Sequence, residues 1–145
     1  MLAAFGSLNY LAVLAAVIAC VVVGFVWYMP PLFGRPWAER NSRYAGMTTE
    51  ELLAPPPDRV PRLMSQWILA FAVNAVGLAL LLRAAGVTTV AEAAVAGALV
   101  SLGFAATLSA WPVIFAKQPV GVWAINNGAF LVMQVVMSLI LTIWR

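Results

Sequence analysis

The sequence predicts an all-α fold: an integral membrane bundle of four transmembrane helices with one long cytoplasmic loop. Three observations carry this. Of 145 residues, 64% are hydrophobic and 9% charged, whereas a soluble domain is about 45 to 50% apolar and about 25% charged. Such a composition cannot cover a surface in water, and the mean hydropathy of +0.98 agrees. Spanning a hydrocarbon core of about 30 Å takes roughly 20 apolar helical residues, and the chain offers four such stretches, at about 8–29, 65–82, 91–114 and 122–144. The whole chain, 1–145, then forms a single domain whose one sizeable extramembrane segment is the loop at about 30–64.

Span one carries no charge, and Met1 to Asn9 holds no Lys or Arg, so it reads as a retained helix and not a cleavable signal. Small residues at Ala12, Ala16, Cys20 and Gly24 form a row along it. The string Trp27-Tyr28-Met29-Pro30-Pro31-Leu32-Phe33-Gly34-Arg35-Pro36-Trp37 reads as a helix exit. Aromatics suit the interface, the prolines forbid continuation, Gly34 permits a turn, and Arg35 reaches for headgroups. In the loop, Thr48 followed by Glu51 is a capping box, so a short helix should begin there, and Pro55-Pro56-Pro57 should stop it.

Span two holds Asn74 midway. Span three has small residues at every fourth position, Ala93, Gly97, Ser101, Ala105 and Ser109. Helices in lipid associate by close backbone approach along such stripes, so this face should pack on a neighbour. Glu92 suits the helix start, where it complements the dipole, and Pro112 should kink or end the span. Span four carries Asn126, Asn127, Gln134 and Ser138, of which the last three recur on one face. An amide facing lipid is costly, so these side chains should point inward, either as glue between helices or as the lining of a site.

Orientation follows from the basic residues. Arg35, Arg40, Arg43, Arg59, Arg62 and Lys117 fall on the loop side, against Arg83 and Arg145 on the side of the termini. The positive-inside rule therefore puts the loops in the cytoplasm and both termini in the periplasm. Trp27, Trp37, Trp67, Trp111 and Trp123 lie on the loop side and only Trp144 on the other, as expected of interfacial anchors on antiparallel crossings.

The string from Trp27 to Trp37 resembles the Trp-Tyr-x-Pro-x-Leu-Phe-Gly-[Lys/Arg]-x-Trp signature of an uncharacterised bacterial family of small four-helix inner-membrane proteins, a domain-of-unknown-function family. Asn9, the Thr-x-Glu-Glu-Leu segment, and Ile125-Asn126-Asn127-Gly128 ahead of a final Trp144-Arg145 resemble further landmarks, so the resemblance runs over the whole chain. Phe130 stands about where many members carry a His. The resemblance implies a fold and a bacterial inner membrane, and no activity.

Function is bounded mainly by exclusion. With no His and one Cys, the chain lacks a zinc cluster, a His-ligated haem, a His-dependent nucleophile and a disulfide. A net charge of +3 and a pI near 9.6 come from scattered loop residues and make no nucleic-acid face. Small four-helix exporters rely on a carboxylate in the first helix, and no Asp or Glu falls in the middle of any span here. The expectation is a non-catalytic protein with no cofactor, acting as an accessory or scaffold subunit that packs in the lipid against itself or a larger membrane complex. The alternative is a carrier or binder of a small apolar molecule or lipid, lined by amides of spans two and four.

Overall fold

The computed structural model describes residues 6–144, which are helical throughout with turns between. Four helices are long and apolar enough to cross a membrane, so this is a multi-pass membrane protein. Span one is α1, Tyr10–Trp27. Its first turn is capped by Asn9, whose side-chain oxygen accepts from the Leu11 and Ala12 amides at 3.1 and 3.2 Å. The Asn9 amide also donates to the Trp144 carbonyl at 3.3 Å, and Arg83 donates to Ser7 Oγ at 2.6 Å. These bonds gather both chain ends and the end of span two at one end of the bundle. Arg145, counted above on that side, lies outside the described residues.

Beyond α1 the chain makes a wide turn at Pro30–Gly34. Any Cβ at Gly34 would strike the Tyr28 carbonyl, which explains the glycine in the exit string. The long loop is more structured than its sequence suggested. It contains a helix the sequence reading missed, α2, Arg35–Ala45, with Pro36 in the first turn and Gly46 left-handed at φ 65° after the last. Ala38 is its fully buried residue, while Arg35 faces out in an ion pair with Glu39 at 3.2 Å. The next helix, α3, Thr49–Leu53, has both halves of the capping box. Hydrogen bonds from the Thr48 main chain and hydroxyl hold the Glu51 carboxyl below its ordinary pKa.

Span two, α4, is Val60–Ala84 and begins five residues ahead of the expected 65, because Pro61 fits the first turn, where no amide partner is needed. Span three starts as α5, Val90–Val100, capped by a second box between Thr89 and Glu92. It then widens into a π turn at Ser101–Ala106 and breaks before α6, Trp111–Phe115, which has Pro112 in its first turn. Span four is α7, Val120–Ile143.

The π turn corrects the expected stripe. Ala93, Gly97 and Ser101 are buried as predicted, but the next buried residue is Ala106, and Ala105 is only half-buried. One extra residue in a turn displaces the packed face by one position. At the crossing, a Cβ on Gly97 would lie 2.7 Å from both the Gln134 carbonyl and Ser138 Oγ. Span four is the hub: it packs on α1, α4 and α5 and carries α2 near its start, whereas α4 and α5 hardly meet. The row of span one, Ala12, Ala16, Cys20 and Gly24, is buried inside the chain as well, with Trp67 seated over Gly24.

Candidate functional site

Two polar clusters lie within the apolar bundle, and both hang on span four. The first is at the loop end. Asn127, buried on the inner face of α7, exchanges hydrogen bonds with Ser109: its Nδ2 donates to Ser109 Oγ at 3.0 Å and its Oδ1 accepts from that hydroxyl at 3.1 Å. The same Nδ2 donates to the Trp123 carbonyl at 2.9 Å. Tyr28 donates to Asn126 Oδ1 at 2.7 Å, and the Trp27 indole donates to the Ile125 carbonyl at 3.1 Å. The Trp123 indole donates to the Ala106 carbonyl at 3.2 Å.

These bonds revise the role given to two tryptophans. Trp27 and Trp123 spend their N–H groups on neighbouring helices, bracing the bundle, while Trp111 is 66% exposed. The break after the π turn matters here, because a main-chain carbonyl freed from its own helix, that of Ala106, is what Trp123 finds.

The second cluster lies near mid-span. Gln134 Nε2 donates to Asn74 Oδ1 at 3.2 Å, joining spans four and two. The remaining capacity of the pair is poorly used. Asn74 Nδ2 has Met137 Sδ at 3.8 Å as its acceptor, and the buried Gln134 Oε1 has no donor. Each amide has two donor hydrogens and an oxygen with two lone pairs, so groups of the pair are left over.

Beside this pair runs a groove of about 350 Å³, lined by Trp67, Phe71, Asn74, Ala105, Phe130 and Gln134. It lies where spans two and three stand apart. Ala105, within the π turn, forms its far wall. Sequence reasoning found both amides and their inward direction. It did not find the groove, which depends on two helices failing to touch.

The remaining polar residues do other things. Ser101 and Ser138 are fully buried at the Gly97 crossing, and neither hydroxyl has a hydrogen-bond partner. Among the described residues no group of three or more His, Cys, Asp or Glu could hold a metal ion. What the arrangement offers a ligand is shape and a few neutral hydrogen bonds.

No curated protein and no solved structure matches the chain. The family model described as "Protein of unknown function (DUF1761)" matches residues 11–142, from the second residue of α1 to the last turn of α7. With all four spans covered to within one residue of their ends, the chain belongs to the DUF1761 family of proteins of unknown function.

Proposed function

We propose that the protein is a non-catalytic binder or carrier of a lipid-like molecule, which enters the groove between spans two and three from within the bilayer. One observation carries the reading: an amide pair, Asn74 and Gln134, lines an apolar groove and leaves Asn74 Nδ2 with only the Met137 sulfur as acceptor. Ligand sites are typically about 300 to 1,000 Å³, mostly apolar, with a few placed polar groups. The groove has that size and character. A ligand carrying one hydroxyl or carbonyl on a long apolar body matches it best.

The scaffold reading has less to support it, since the row of span one and Ala93, Gly97 and Ser101 of span three are used in packing within the chain. It keeps one specific observation. On the lipid side of span two, Ala72, Val73, Val76, Gly77 and Leu80 line a shallow apolar hollow, where a helix of another subunit or of a second copy would fit. The setting we propose is the bacterial inner membrane with loops in the cytoplasm, supported by the six-to-two asymmetry of Lys and Arg. A reporter active only outside the cytoplasm, fused to the C-terminus, should be active, and silence from a well-expressed fusion would reverse the topology.

The decisive experiment is native mass spectrometry of protein extracted gently from its membrane, comparing the wild type with Ala105→Trp and Asn74→Leu. Ala105→Trp fills the groove from its far wall and should abolish the bound apolar species. Asn74→Leu should weaken it. A species that co-purifies equally with all three proteins overturns the groove as its site.

A further inference from the structure

A second cavity, of about 490 Å³, lies at the loop end, where the short helix α6 makes little contact with the start of span four. Its walls include Leu108, Trp111, Gln118, Trp123, Asn126 and Phe130. We infer that it takes a neutral sugar ring, a hexose presented at the membrane surface, with the amides of Gln118 and Asn126 bonding its hydroxyls.

The inference begins with two side chains that line the cavity and are not spent. Asn126 Oδ1 accepts from Tyr28, and its Nδ2 meets no acceptor among the described residues. The Gln118 side chain has no partner among them either. Both residues are half-buried, and neither amide is among the polar atoms sealed inside the bundle, as Gln134 Oε1 is. Asn127 also borders the cavity, but its amide is spent on Ser109 and Trp123. Gln118 is brought into place by an uncommon backbone turn. Lys117 sits in the left-handed region at φ 57°, a costly conformation for a lysine. The turn lets the Gln118 main-chain N–H donate back to the Pro112 carbonyl at 3.1 Å, which holds the residue against α6.

The mixed wall selects the ligand. Amides both donate and accept, as hydroxyls do. A hydrocarbon tail would leave both amides unpaired, while water would pair them and leave the rings of Trp111, Trp123 and Phe130 wet. A hexose answers both needs, since its rim carries hydroxyls and its flat face is C–H. Charge argues against a phosphate. Among the described residues no Lys or Arg lines the cavity: Lys117 is outside its wall, and Arg40, lying over Gly121, donates to the Pro36 carbonyl. An anion would enter without a counter-ion. The volume is within the range of about 300 to 1,000 Å³ usual for ligand sites. Tryptophans concentrate at the headgroup level, where the sugar of a glycolipid also lies. The cavity shares Phe130 with the mid-span groove but does not rest on the groove reading.

The test titrates glucosyl diacylglycerol and plain diacylglycerol of the same chains onto the protein in a sugar-free polyoxyethylene detergent, read by native mass spectrometry. The two probes differ only by the hexose, so the ratio of their affinities reports the head and not the tails. Wild type should bind the glucosyl lipid about tenfold more tightly, the worth of two net hydrogen bonds. Gln118→Ala and Asn126→Ala should each remove about threefold of this, and the double variant all of it. Tyr28→Phe cuts only the bond to Asn126 Oδ1 and should keep the preference. Ala105→Trp should keep it too, so that the groove reading and this one fail separately. With the preference intact, competition by free glucose assigns the sugar to a soluble source, and its failure to a lipid headgroup. Equal affinity for the two lipids in the wild type, a preference that survives the double variant, or tighter binding of phosphatidylglycerol with the same chains overturns the proposal.

Discussion

The two flanks of span three could hardly differ more. On one side Ala93, Gly97 and Ser101 press against span four so closely that a single added carbon at Gly97 meets main chain. On the other side Ala105 looks across an open groove toward Trp67 and Phe71. Water expulsion does not draw helices together in lipid, since the tails are as apolar as the side chains. Proximity is then set by residue size and by the few polar bonds available. Where small residues align the helices touch, and where large aromatics stand opposite they are held apart.

The sharpest way to break this contrast is on the closed flank. Gly97→Leu should cost about 3 kcal/mol through overpacking against unyielding backbone, read as a fall in melting temperature in detergent. Val95→Leu, at a position 58% exposed, is the control and should change little. If both variants melt alike, close packing is not what holds span three in place.

Next comes the polar brace at the loop end. Asn127→Leu removes both bonds between Asn127 and Ser109, whose hydroxyl keeps only the Ala106 carbonyl, and should cost about 2 kcal/mol without altering what co-purifies. Loss of a bound species at full stability would mean that Asn127 lines a site. On the open flank the expected stability change is smaller still. Ala105→Trp should stay within about 0.5 kcal/mol of wild type, because the added ring enters vacant space. A strong destabilisation would show that the two flanks are packed alike.

The smallest effect lies outside the membrane. Glu51 has a lowered pKa in the folded chain, so its capping contribution is complete above the ordinary Glu value and disappears as pH falls through the lowered one. The Thr48 amide resonance should move over that acid window while resonances of the spans stay fixed. A Thr48 amide that does not respond to pH would remove Glu51 from the cap.

The four spans were legible because a bilayer imposes length and composition directly. The capping box at Thr48 and the inward face of Asn127, Gln134 and Ser138 were legible because both follow from helical spacing. Helix α2 escaped because its cues, Pro36 and Gly46, sit among residues that also describe a simple exit from the membrane. The partners of the amides escaped for a different reason. Asn127 goes to span three and Gln134 to span two, and that division follows from the hub position of span four, which no local pattern encodes.

The widened turn at Ser101–Ala106 also bears on how the family can tolerate insertions and deletions. A residue added to or taken from a regular helix rotates everything beyond it by about 100°. Here the surplus is already absorbed within one turn. Removing one exposed residue among Leu102, Gly103 and Phe104 would restore ordinary winding and leave Ala106 and Ser109 facing span four as before. The same deletion at Leu99, one turn earlier in the regular part of the span, would swing Ser101 out of its buried place. Relatives one residue shorter in span three should therefore carry their gap between 102 and 105, and their helices there should be plain α.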